Sequence, residues 1–176
     1  MELTRKRNTI KYLCYCAVLL LCALLQNVDS LSLQLGSARC FLLIPAAVLL
    51  GINEDEKTAA FLGLFAGMLW DMISARHVGF NCIMLMLLCF ASSALVSYVF
   101  RNTFITGLLA AVAAVIIYCP LYWLFFVLIK SPDGAGGVFL KFYLPCMVYT
   151  AAVAPLLEAA LIPIKSKLSG ERQLDD

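Results

Sequence analysis

Two acids, Asp71 and Glu158, stand inside otherwise apolar stretches of this sequence, and their chemistry needs an explanation. Asp71 continues a series, Ala59, Gly63, Gly67 and Asp71, that recurs every fourth position and therefore shares one helix face. Within it Gly63 and Gly67 form a G-x-x-x-G element. Positions without side chains let a second helix approach closely, and in lipid that contact drives association. The spacing leaves open whether the second helix belongs to this chain or to a partner. Asp71 falls near the C-terminal end of its helix, where the helix dipole disfavours an anion. Compensation is expected from Arg76 or His77 in the following turn, from Asn81, or from a partner chain. Glu158 precedes Lys165 by seven residues, which buries it about 10 Å up the helix at a rise of ~1.5 Å per residue. An acid at that depth faces a bundle interior and has a partner. Ser92, Ser93, Lys11 or a residue of another protein are the candidates.

Other chemistry finds little support. The eight cysteines lie in or beside apolar runs, form no C-x-x-C pair and have a single histidine, His77, for company. That pattern suits small packing residues rather than a metal site or a disulfide framework. The sequence has no G-x-S-x-G, H-E-x-x-H or P-loop element. Asp71 and Glu158 are expected in opposite halves of the membrane, too far apart to act as a two-carboxylate pair. Catalysis, a cofactor and a metal are therefore not expected. A net charge of +2 gives no reason to expect nucleic acid as a partner.

The elements that must position these residues follow from composition. Of 176 residues, 63% are hydrophobic and 14% charged, with a mean hydropathy of +0.94. Soluble domains are nearer half apolar and a quarter charged, so the partner of most of this surface is a lipid bilayer. A spanning helix takes about 20 apolar residues, and the hydropathy pattern predicts six, at 10–26, 31–52, 58–74, 78–100, 103–129 and 138–164. The first, preceded by Arg5, Lys6 and Arg7, resembles a signal peptide but ends in the poor cleavage site Gln26-Asn27-Val28-Asp29-Ser30, and is expected to stay as a helix. The second is the weakest, because Pro45 interrupts its core and it needs residues 31–39 to reach spanning length.

Charge decides for six. Cytoplasmic loops carry excess Lys and Arg. Six spans put Arg5, Lys6, Arg7, Lys11, Lys57, Arg101, Lys165, Lys167 and Arg172 inside, and only Arg39, Arg76, Lys130 and Lys141 outside. Omitting the second span nearly balances the two faces. Both termini are then cytoplasmic, and Trp70, Tyr118, Tyr122, Trp123, Phe125, Phe126, Phe139, Phe142 and Tyr143 fall toward the outer interface, where aromatic rings settle. Pro120, Pro145, Pro155 and Pro163 lie inside the last two spans. They are tolerated in a small bundle and also suit the broken helices of transporters.

The run 62–81, LGLFAGMLWDMISARHVGFN, resembles the rod shape-determining protein MreD family through Gly63, Gly67, Asp71, Ser74 and Gly79. Overall length, span count and short loops agree across the chain. One departure is Arg39-Cys40-Phe41 at the start of the second span, where the family often has a proline and an acid. The resemblance implies an all-α membrane protein, a bundle of six transmembrane helices similar overall to the substrate-binding subunits of energy-coupling-factor transporters. It further implies a multi-pass protein of the bacterial plasma membrane and a non-catalytic role in cell elongation. The implied partners are MreC, directly, and in the same complex MreB and the elongation-specific penicillin-binding transpeptidase and glycosyltransferase. Ala59, Gly63, Gly67, Asp71 and Gly79 are then expected at the helix-packing or partner interface, with Glu158 as an intramembrane polar contact. The alternative is a substrate-binding membrane subunit of an energy-coupling-factor vitamin transporter. Those subunits present Ala-x-x-x-Ala on the first span, whereas Ala17 and Ala23 here are six apart. Their pockets also need several convergent polar groups at the outer ends of spans.

Overall fold

In the computed structural model the described residues are 2–27, 34–35, 38–74, 79–98, 103–130 and 134–169. Arg76, His77, Arg101 and Arg172, named above as a possible partner of Asp71 or in the charge count, lie outside them. Apart from one two-residue antiparallel pair, the ordered elements are helical: α1 (Glu2–Asn27), β1 (Gln34–Leu35), β2 (Ala38–Arg39), α2 (Leu43–Gly51), α3 (Glu56–Ser74), α4 (Phe80–Tyr98), α5 (Phe104–Trp123, continued by π-helical Leu124–Leu128) and α6 (Ala135–Val138, π-helical Phe139–Tyr143 and Leu144–Ser169). Pro145 is the second residue after the second π-helical stretch. A proline has no N–H to donate and its ring crowds the carbonyl four residues back, and a π turn just ahead of it loosens the ladder at that point.

Four stretches are long and apolar enough to cross a membrane: Asn8–Asn27, Phe80–Tyr98, Phe104–Leu128 and Ala135–Lys165. Helix α3 has 19 residues, about 28 Å at ~1.5 Å per residue, but it carries Glu56, Lys57 and Asp71. The expected helix over 31–52 is the clear departure. Among its described residues only Leu43–Gly51 is helical, nine residues that rise about 14 Å. Pro45 does not break it, because it sits in the first turn, where a helix has no use for the missing N–H.

All nine residues of α2 are buried, with α1, α3, α4, α5 and α6 packed around them. The chain reaches α2 through non-helical backbone whose N–H groups need partners in a dry interior. They find them on neighbouring helices. Arg39 N donates to Cys146 Sγ (3.2 Å), Phe41 N to Thr150 Oγ1 (3.0 Å) and Leu43 N to Gln26 Oε1 (3.0 Å). Outward faces are apolar instead: Leu13, Phe61, Met72, Tyr98, Leu140 and Leu156 are each more than three-fifths exposed. Large apolar faces of this kind suit hydrocarbon rather than water.

Candidate functional site

Helices α3 and α4 make the most extensive helix pair of the fold, and the glycine strip explains why. A Cβ added at Gly67 would lie 2.5 Å from the Cys82 Cα and 2.6 Å from the Asn81 carbonyl carbon. At Gly63 it would lie 2.8 Å from the Leu85 carbonyl carbon and 3.0 Å from the Cys89 Cβ. The backbones touch, which only glycine permits. Ala59, one turn earlier, packs against Gly51 of α2. The strip therefore closes on the chain's own helices, and a partner's helix would have to use another face.

Asp71 ends the strip and is 4% exposed. Its Oδ2 accepts from Gly79 N at 2.8 Å and from Cys82 N at 3.3 Å. Those amides open α4, so the carboxylate caps the next helix from outside. Its own dipole disfavours Asp71, but the positive end of α4 and two charge-assisted hydrogen bonds outweigh this, at roughly 1.5–3 kcal/mol per bond against under about 1 for the dipole. Gly79 has φ +96°, a left-handed conformation that a side chain would strain. Asn81 does not pair with Asp71 in this structure. Its Oδ1 accepts from the Tyr118 hydroxyl, linking α4 to α5. The Oδ1 of Asp71 is buried and takes no hydrogen bond among the described residues.

At the opposite end of the bundle two of the candidate partners of Glu158, Lys11 and Ser93, belong to a different acid. Lys11 forms an ion pair with Glu54 Oε1, Tyr15 donates its hydroxyl to the same oxygen at 3.3 Å, and Ser93 Oγ donates to the Glu54 backbone carbonyl at 2.7 Å. This knot ties α1, the α2–α3 connection and α4 together. Glu54, in the short connection between the second and third expected spans, was not among the residues singled out from the sequence. A signal existed: Lys11 and Tyr15 are one helical turn apart where α1 passes into its apolar run, and need a polar partner there. Glu158 itself is 4% exposed, lies against Gly107 of α5, and leaves Oε2 buried without a hydrogen bond among the described residues.

Several of the aromatics expected toward the outer interface come together. Trp70 stacks on Tyr118 (5.3 Å between centroids, 25°), and Tyr118 on Tyr122 (5.9 Å, 29°). With Arg39, Phe41, Asn81, Phe126, Val127, Phe142 and Tyr143 they line a cavity of about 300 Å³. It lies at the end of the bundle that carries the α3–α4 turn, so Asp71 and Glu158 sit at opposite ends and do not share a site. The cysteines of the described residues are free thiols. Comparison with protein-family models, curated proteins and solved structures finds nothing that matches this chain.

Proposed function

We propose that this chain is a non-catalytic scaffold of the bacterial cell-elongation machinery, an MreD-like protein of the plasma membrane that binds MreC and supports MreB-directed peptidoglycan synthesis. One observation carries the reading. Four of the five residues on which the resemblance rests, Gly63, Gly67, Asp71 and Gly79, work as one device: two glycines bring α3 against α4, and the acid caps α4 through the glycine that opens it. A family motif whose parts serve one helical hairpin describes a rigid scaffold better than a reaction centre. On this reading the outward apolar faces, not the strip, are left for the partner helix of MreC.

Six crossings with both termini cytoplasmic accompany the proposal. Side-chain contacts favour α2 as part of a crossing: Leu43 at its start meets Gln26 at the end of α1, while Glu54 beyond its end meets Lys11 near the start of α1. The segment thus runs antiparallel to α1 over much of the bundle, partly in extended form. Non-helical backbone at membrane depth is tolerated where protein covers it. The test is cross-linking in the source cell with an affinity tag on the chain. MreC and MreB should be recovered with it.

The cavity favours a second reading, the substrate-binding membrane subunit of an energy-coupling-factor vitamin transporter. It brings Arg39, Asn81 and tyrosines to one end of the bundle around aromatic walls. Recovery of an ATP-hydrolysing coupling pair in the same cross-linking experiment, in place of MreC, would decide for it.

A further inference from the structure

We propose that the aromatic cavity is a binding site for a flat aromatic molecule bearing a carboxylate. This rests on the cavity alone and goes beyond the scaffold reading. At about 300 Å³ the space falls at the small end of the range for ligand sites. Its walls are directional. The Trp70, Tyr118 and Tyr122 rings are stacked in sequence, with Phe41 against Trp70 and Phe126 against Tyr122, so the walls offer a flat guest the ring faces and edges that aromatic systems prefer to meet. A flexible acyl chain gains nothing from that order.

Polar groups on the lining select the charge. Asn81 is 3% exposed, and its amide oxygen is taken by the Tyr118 hydroxyl, so the amide offers a guest its N–H donors. Arg39 contributes a guanidinium whose root is fixed, since its backbone N–H is held by Cys146 Sγ of α6. No acid lines the cavity among the described residues. An aromatic slot with a guanidinium, an amide donor and no carboxylate complements an anion, which a guanidinium can grip with two parallel hydrogen bonds.

Full-length protein carrying Trp123→Phe, reconstituted in lipid nanodiscs, allows Trp70 fluorescence to report binding. Titration with 2-naphthoate should give saturable quenching below about 1 mM. The neutral 2-naphthalenemethanol should bind at least about tenfold more weakly, and Arg39→Gln should cost 2-naphthoate a similar factor, because both remove the charge-assisted pair. The Arg39 side chain is exposed and only its backbone joins the described hydrogen bonds, so Arg39→Gln should keep the wild-type thermal unfolding profile. Val127→Phe, which narrows the space without adding a second indole, should abolish quenching. Decanoate should not compete. Equal binding of acid and alcohol, or indifference to Arg39→Gln, would reduce the site to an apolar void. Displacement by decanoate would make it an acyl-chain cleft, and lack of saturable quenching would remove it.

Discussion

Replacing Gly67 by alanine adds one methyl group, and the structure says it has nowhere to go. That carbon would sit 2.5 Å from the Cys82 Cα and 2.6 Å from the Asn81 carbonyl carbon, both backbone atoms of α4. Carbon atoms rest at roughly 3.5 Å or more, so α4 must retreat by about 1 Å. Overpacking of this kind costs about 1–3 kcal/mol. The retreat also pulls the Cys82 amide, already 3.3 Å from Asp71 Oδ2, out of hydrogen-bonding range. Losing it adds about 1.5–3 kcal/mol. Alanine returns up to about 1 kcal/mol of helix propensity, and the balance is a loss of roughly 2–5 kcal/mol. Purified protein in mixed micelles, unfolded by sodium dodecyl sulfate and followed by circular dichroism, measures it. Gly136→Ala is the control, because a Cβ there meets nothing within 4 Å. Trimming Cys82 to alanine in the Gly67→Ala background should not restore stability, since the clash is with backbone. If Gly67→Ala unfolds with Gly136→Ala, the touching-backbone account of the strip is wrong.

The same unfolding assay checks three further expectations. Asp71→Leu should lose about 2–5 kcal/mol through the uncapped start of α4, while Asp71→Asn, which keeps an acceptor, should lose less than half of that; equal losses would mean that the carboxylate acts by charge alone. Lys11→Met strands Glu54, which is 7% exposed, and should cost about 3 kcal/mol, whereas adding Glu54→Leu should recover most of it. An additive double variant would show that the pair is not coupled. Glu158→Gln should be neutral or stabilising by about 1 kcal/mol, since it takes away a buried charge with an orphaned oxygen; a loss above about 2 kcal/mol would reveal a partner the charge needs. Finally, a reporter fused after Asp55 should be active only on the cytoplasmic side, and external activity would remove α2 from the crossing count.

Much of the fold lay open in the sequence because the bilayer imposes simple rules. Long apolar runs predicted helices where α1, α4, α5 and α6 stand, since only a self-satisfied backbone suits hydrocarbon. Four-residue spacing put Ala59, Gly63, Gly67 and Asp71 on one face, and the absence of side chains predicted that a helix would lie against it. Which helix was beyond reach. Spacing is a local property, whereas the choice between α4 and a foreign helix depends on whether the turn at Gly79 can fold the chain back.

Hydropathy failed at residues 31–52, where it predicted one helix. Cys146, Thr150 and Gln26 supply hydrogen bonds to the extended approach to α2, and these residues are distant in the chain. The acids divided in the same way. That Asp71 needed a cation or donor followed from its place in an apolar helix; that the donors are amides opening α4 follows only from the hairpin. Lys11 and Ser93 were two of the candidate partners of Glu158, yet both serve Glu54, because α2 delivers the following connection to the bundle end where α1 begins. The sequence by itself determines which residues must be inside and which need partners, since burial and desolvation act on each residue type. Only tertiary structure decides who the partners are, since that depends on helices meeting across distances that no local pattern encodes.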